Sequence, residues 1–348
     1  RDRSPSRGLG DVYKRQVMKS PFTGGDAVLC HEKQSFEFRK DNFEIVYHFY
    51  RCKDTNEEFT TTELDQLNMN QVYNLYRQKY AIPFPDEIKR VRELYGISAL
   101  RMSKLLGFGD NQYRKYEEGE MPSVSNGKMI SALKDPHFFL EILKLAQNQF
   151  PNDEILKIEK RVKELLLNNS CFENKINEFI FHNHLSLRSG MNGYASVIPE
   201  KVKQIIVFFA SALQGVFETK LNKLLFYSDF FSYKKYGKGI SGLQYQAISY
   251  GPVPVRYSTI YENLDGLKKE IINLGNGYSG SIITTVEQFE QSLFTVEELE
   301  VLQCVLVHFE KSKANEISEM SHAEEAWRQN EKQHSLIDYS YAFDLSQL

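Results

Sequence analysis

Apolar positions recur at helical spacing over most of this chain, and alternation is confined to its start and to a stretch near residue 245. Phe36-Glu37-Phe38-Arg39 and Phe43 to Tyr50 are rich in aromatic and β-branched residues, which predicts a small β-rich unit over residues 18–62. Thr62-Glu63-Leu64-Asp65 reads as a capping box, and Leu64, Leu67, Val72, Leu75 and Tyr76 carry a helix to Tyr80. Ile82-Pro83-Phe84-Pro85 is a rigid connector. Its second proline opens a helix with Asp86 and Glu87 in the first turn and Ile88, Val91 and Tyr95 as the apolar stripe.

The stretch Ile97 to Ser123 carries the clearest functional spacing. Ser98 is placed to cap a helix with Ala99, Met102 and Leu106 on one side, and Gly107 and Gly109 break it. Asp110 is then placed to cap a second helix. Its Tyr113 and Tyr116 face inward and leave Asn111, Gln112, Arg114 and Lys115 outside. Asn and Gln suit adenine edges and Arg and Lys suit guanine or phosphate, so the pattern fits a DNA-reading helix-turn-helix. Two packed amphipathic helices without DNA are the plainer alternative. Met129 to Leu133 and Phe138 to Leu145 close that domain, which ends near Gln149.

Ile155, Ile158, Val162, Leu165 and Leu166 then lie near heptad spacing, either as a dimer seam or as a stripe packed on its own domain. Arg188 to Gly193 reads as a flexible, Ser-, Asn- and Gly-containing joint on the approach to a second domain. Beyond it, Lys220 to Phe231 is apolar nearly all round, as a buried helix must be. Leu243 to Tyr250 alternates like a strand, and Gly251-Pro252-Val253-Pro254 reads as a turn that ends it. Thr295-Val296-Glu297-Glu298 and Ser321-His322-Ala323-Glu324 both read as capping boxes, the second leading to Trp327, the only tryptophan. The fold expected is α+β, mainly α. Its divisions are a leader at 1–17, the β-rich unit at 18–62, a linker helix with the helix-turn-helix at 63–149, a helical linker at 150–199 and a C-terminal domain at 200–348.

Composition narrows the function. At 348 residues the chain exceeds one typical core, and a net charge of −3 excludes a broadly basic nucleic-acid coat. DNA contact therefore depends on a local face, used best by a homodimer. Cys30, Cys52, Cys171 and Cys304 form no framework pattern, which fits a reducing, cytoplasmic setting. The apolar run Ile205 to Leu213 is shorter than the ~20 residues that span a bilayer, so no membrane partner is expected.

Four resemblances add to this. The string RDRSPSRGLGDVYKRQ resembles translated sequencing-adapter read-through, which implies a start at Met18. Tyr116-Glu117-x-Gly119-x-x-Pro122-Ser123 resembles the close of the helix-turn-helix in Xre-type repressors. Residues 18–62 resemble the zinc-ribbon domain of MqsA-type antitoxins, with Ser20, Thr23, Cys52 and Thr55 where that family has four cysteines. This implies a ribbon that has lost its metal, since hydroxyls are poor zinc ligands; Cys30, His31 and Cys52 are the remaining candidates for an ion. In the same family Asn111 aligns with a base-contacting Asn and Lys115 with a basic reader. Finally, KLNKLLFYSDF from Lys220, YQAISYGPVPVRY from Tyr245, LFTVEELEVLQCVL from Leu293 and EISEMSHAEEAW from Glu316 resemble the Panacea, or SocA-like, antitoxin domain.

That last resemblance implies a non-enzymatic antitoxin of a type II toxin–antitoxin pair. Its partners would be a cognate toxin and operator DNA, and no cofactor is needed. Tyr250, Arg256 and Tyr257 have the residue types that dominate protein-binding hot spots. A ligand-responsive transcription regulator and a protease adaptor are the alternatives. His322, Glu324, Glu325 and Trp327, with His308 or Asp229, show no nucleophile–base–orienter order, and Gly24-Gly25 and Gly237-x-Gly239 lack the context of a phosphate loop.

Overall fold

The alternating N-terminal stretches form an antiparallel sheet in the computed structural model, which describes residues 18–168, 172–275 and 278–348. The leader at 1–17 and Cys171 lie outside the described residues. The strands β1 (Met18–Lys19), β2 (Asp26–Phe38), β3 (Asp41–Cys52) and β4 (Glu58–Phe59) lie in that order. Pairing of β2 with β3 runs from Ala27↔Cys52 to Phe38↔Asp41, so Arg39 and Lys40 form a two-residue turn with φ of 51° and 75°. Because β4 covers only Tyr50 and Arg51, the rest of the β3 edge needs other partners. The helix α1 (Thr62–Tyr80) supplies them with side-chain amides. Gln71 bonds both the N–H and the C=O of Val46 at 3.0 and 2.8 Å, and Asn68 does the same for His48 at 2.9 Å each.

The described chain divides into two units. One holds residues 73–179, and the other holds residues 18–72 together with 180–348, so the boundary at 72/73 falls inside α1. The unit over 73–179 contains α2 (Pro85–Leu94), α3 (Ala99–Leu105), α4 (Gln112–Glu117), α5 (Val124–Ala132), α6 (Pro136–Leu145) and α7 (Asn152–Asn168), and it shares α8 (Phe172–Phe181) with the other unit. Ile88, Val91, Met102, Tyr113, Ile130 and Phe139 meet in one core. The stripe of α7 is used inside this unit, since Ile158 and Val162 belong to the same core.

The second unit continues with α9 (Pro199–Ala212), β5 (Val216–Phe217) and α10 (Glu218–Tyr236). Fourteen consecutive residues of α10, Lys220 to Tyr233, are buried, so the helix forms the axis of the unit. Around it lie β6 (Tyr245–Ile248), β7 (Gly251–Pro254), α11 (Tyr257–Asn263), β8 (Leu267–Gly275), β9 (Tyr278–Thr285), α12 (Val296–Phe309), α13 (Ala314–Ala323) and α14 (Glu325–Arg328). The strands pair as β5-β9-β8 and as β6-β7. The fold is α+β and mainly α. No helix among the described residues is long and apolar enough to cross a membrane.

Three local expectations are corrected. Gly251-Pro252-Val253-Pro254 is the strand β7, paired Tyr245↔Pro254 through Ile248↔Gly251. The prolines fit because Tyr245 and Ala247 turn their backbones to the C-terminal segment, with Ala247 N–H on Ser335 O at 3.1 Å and Ile337 N–H on Tyr245 O at 2.9 Å. Pro252 and Pro254, opposite them, are not asked for an N–H. Ser321 does not open a helix. It lies inside α13 with its hydroxyl on Ser318 O at 2.8 Å, and the chain breaks at Glu324. The Arg188 to Gly193 joint is built into the unit rather than flexible: Arg188 Nε bonds Ser196 Oγ at 2.8 Å, Asn192 is buried, and Gly193 at φ +59° lies where a Cβ would meet Tyr339 at 2.6 Å.

Candidate functional sites

The outward face of α4 is fixed by its two tyrosines. Tyr113 is buried with its hydroxyl on Ile88 O at 2.8 Å, and Tyr116 accepts the Asn126 amide at 2.9 Å. The helix before it starts at Ser98, whose hydroxyl accepts Arg101 N–H at 3.2 Å. Asn111, not Asp110, stands at the N-cap of α4, because Ser103 of α3 takes the Tyr113 N–H at 3.0 Å and leaves no such bond for an Asp110 side chain. Asn111, Arg114 and Lys115 are exposed and Gln112 is half-buried. Two of the four are held by neighbouring carboxylates: Gln112 bonds Glu120 at 2.7 Å and Arg114 pairs with Glu118 at 2.9 Å. Exposed pairs of this kind contribute at most about 1 kcal/mol, so they are easily exchanged for a stronger partner. Beneath them, the half-buried pair Arg92–Glu117 at 2.5 Å ties α2 to α4.

In the other unit, two turns repeat one hydrogen-bond pattern. Ser20 N–H donates to Gly25 O and Gly24 N–H to Ser20 O; Cys52 N–H donates to Glu57 O and Asn56 N–H to Cys52 O. The fourth residue of each has its hydroxyl on the sixth residue's N–H, Thr23 on Gly25 and Thr55 on Glu57. The fifth is left-handed in both, Gly24 at φ 73° and Asn56 at 61°. These turns bring Ser20, Thr23 and Thr55 around the buried Cys52 thiol, with Thr23 Oγ1 at 3.6 Å from the sulfur. Hydrogen bonding to the side chains of Ser20, Thr55 and Thr23 pulls the thiol down to about 6. One thiol and three neutral hydroxyls do not fit a zinc ion, which is held by thiolate, imidazole or carboxylate donors. Cys30, His31 and Cys52 do not converge either, and no metal-holding group of His, Cys, Asp and Glu occurs among the described residues.

Of the hot-spot candidates, Tyr250 and Tyr257 come together and Arg256 does not join them. Both tyrosines line a cleft of about 190 Å³ with Glu218, Thr219, Asn222, Lys223, Ile248 and Val253. Tyr250 is 73% exposed between β6 and β7, while Tyr257 is half-buried at the start of α11. Arg256, exposed at φ 52°, reaches Asn183 at 3.5 Å. Sequence reasoning missed Lys223, which is fully buried on α10 with its ammonium on Pro252 O at 3.0 Å. The signal was present as a lysine inside a helix read as apolar all round, and a buried polar residue is the informative exception. Burial pushes Lys223 from 10.5 down to about 7.

Of the residues weighed for acid–base chemistry, Glu324, Trp327 and Asp229 are engaged in hydrogen bonds within the fold. Glu324 is buried and accepts Ser346 N–H at 2.8 Å and the Tyr227 hydroxyl at 3.3 Å, so it is not part of a solvated face. Trp327 donates to Ile248 O at 2.8 Å and stacks on His322 with centroids 4.2 Å apart. Asp229 is buried among Ile240 and Ser241 N–H groups at 2.7 Å each and the Tyr245 hydroxyl at 2.6 Å, and burial pushes its carboxyl up.

The C-terminal unit is thus a domain wrapped around a buried helix that presents an aromatic hairpin tip beside a small cleft. Its relationship follows from comparison: residues 221–328 match the family described as antitoxin SocA-like, Panacea domain. That similarity covers α10 from Leu221, six of the eight residues that line the cleft, and the hairpin. No curated protein and no solved structure matches the chain.

Two expectations follow from this geometry. Restoring thiols by Ser20→Cys, Thr23→Cys and Thr55→Cys together should give about one zinc per chain by elemental analysis, while the unaltered chain stays at background; zinc at one per unaltered chain would contradict the donor-set argument. Lys223→Met should raise thermal stability near pH 6 by roughly 1–4 kcal/mol, as replacement of buried charge often does. The unfolded lysine keeps its proton up to about 10.5 and the folded one only to about 7, so the unaltered chain gains stability as pH rises between those values. The variant's advantage should therefore shrink toward pH 10. Melting curves across pH that stay parallel would refute this.

Proposed function

We propose that this protein is the antitoxin of a type II toxin–antitoxin pair, in which the unit containing α10 holds the toxin and the α3–α4 face binds operator DNA to repress the shared promoter. The observation that carries the reading is the antitoxin-family match at 221–328, which falls on the segment that exposes Tyr250 beside its cleft. Tyrosine anchors at the rim of a pocket are common in protein interfaces. Support for the DNA arm is the exposed set Asn111, Gln112, Arg114 and Lys115 on a helix anchored by two buried tyrosines. Lys115, lacking a bidentate fork, serves as a phosphate or single-acceptor contact, and Arg114 is the better guanine reader. Because acids offset bases over the chain, tight operator binding requires two copies on a palindromic site. The α7 stripe does not supply the seam for such a dimer, since Ile158 and Val162 are already buried within their own unit.

The reading separates the two activities by residue. Asn111→Ala should weaken binding to the promoter fragment about tenfold or more in gel-shift titration, because one base-edge contact contributes roughly 1–3 kcal/mol. Unchanged affinity would remove α4 from the role of reader.

Growth of cells expressing the toxin from the adjoining gene should be rescued by the full chain, and equally by the full chain with Asn111→Ala and Lys115→Ala. Absence of rescue by the unaltered chain, present at levels matching the toxin, would defeat the antitoxin reading.

A further inference from the structure

Three charged side chains are buried on α10, and two of them are well met. Lys220 Nζ donates to Glu310 O at 3.1 Å and Ser312 O at 2.7 Å, at the end of α12. Asp229 accepts from two backbone N–H groups and from the hydroxyls of Ser241 and Tyr245. Lys223 is the exception. Its ammonium has three donors, and its one acceptor among the described residues is Pro252 O.

Lys223 lines the cleft, while the hairpin backbone packs closely against its ammonium at Gly251. Gly251 sits at φ +98°, and a Cβ there would lie 2.7 Å from both Lys223 Nζ and Ser321 Oγ. His322 Nε2 is buried with no hydrogen-bond partner among the described residues, its ring held against Trp327. Glu218, the one carboxylate lining the cleft, lies 2.8 Å from the Lys269 ammonium, its buried Oε2 makes no hydrogen bond of good angle among the described residues, and it is not the counter-charge of Lys223. The cleft of about 190 Å³ falls below the roughly 300 Å³ at which small-molecule sites begin, so it suits one side chain better than a metabolite or nucleotide.

We propose that this cleft is the anchor pocket for a single Asp or Glu side chain of the protein held by this unit, with Lys223 as its counter-charge and Tyr250 closing over it. The proposal rests on the toxin-binding reading and names the chemistry of that contact. A carboxylate arriving between Tyr250 and Tyr257 supplies acceptors for the unmet ammonium donors. The pairing takes place on a buried ammonium, where a charge-assisted hydrogen bond is strong.

Trp327 reports on the site, because its indole bonds Ile248 O in the cleft wall and it is the only tryptophan of the chain. Titration of the full chain with N-acetyl-aspartate amide should change Trp327 emission saturably at millimolar concentration. N-acetyl-asparagine amide should not, and Lys223→Met should abolish the response. Equal responses to the two amides, or a tighter response to inorganic phosphate, would overturn the assignment. With the toxin from the adjoining gene, calorimetry should show at least tenfold weaker binding for Lys223→Met and several-fold weaker binding for Tyr250→Ser, whose exposed position leaves folding intact. Tight binding by the unaltered chain and equally tight binding by both variants would overturn the pocket while leaving the antitoxin reading in place. Failure of the unaltered chain to bind the toxin would overturn the reading and this proposal together.

Discussion

A helix buried on every side needs partners for its polar side chains, and α10 imposes that demand on the unit that contains it. Asp229 is answered by the Ile240–Ser241 backbone and by Tyr245, which fixes the chain reversal after the helix and aligns β6. Lys220 closes the exposed carbonyls at the end of α12. Asn222 accepts the Tyr261 hydroxyl at 2.7 Å and so seats α11. Each polar exception on the helix thus places one neighbouring element. A buried group left unpaired costs about 1–3 kcal/mol, and more if charged, so these positions specify the arrangement as strongly as the apolar ones.

The β6–β7 hairpin shows the same economy. Its prolines turn their nitrogens away from β6, and the carbonyl of Pro252 that turns with them accepts the Lys223 ammonium. The residue before them, Gly251, has the left-handed backbone that the tight reversal needs, and a side chain there would collide with the Lys223 ammonium and the Ser321 hydroxyl. Backbone geometry chosen for a tight hairpin therefore also shapes the cleft, and Tyr250 at the tip is left exposed because nothing behind the reversal remains for it to pack on.

Much of this was legible in residue order, and what was not has identifiable causes. The α3–α4 pair, the inward tyrosines, the capping box at Thr295 and the buried α10 all follow from local pattern, since each is decided within a few residues. The start of α4 was misplaced by one residue because its cap bond comes from Ser103, ten positions away in the chain. Gly251–Pro254 was misread because a strand that contains prolines is permitted only by its register with β6 and by the third segment at Leu336. Lys223 was hidden for a related reason: whether a lysine on an apolar helix snorkels to water or is sealed in depends on what covers it, here a hairpin about thirty residues on. Long-range partners decide each of these, and they leave no local trace.

Two tight turns and a few strands enclose little apolar surface of their own. The N-terminal sheet is held by side chains from the rest of its unit. Asn68 and Gln71 complete the open edge of β3, the rings of His48 and Phe343 meet at 4.4 Å, and Asn70 bonds Tyr236 O at 3.1 Å, so the sheet shares its unit with the C-terminal chain. The turn bonds themselves are made by backbone groups and by Thr23 and Thr55, whose hydroxyls cap the turns. Secured from its edge and its face, the sheet keeps both turns closed around a buried Cys52 ringed by hydroxyls, with no metal-holding group among the described residues.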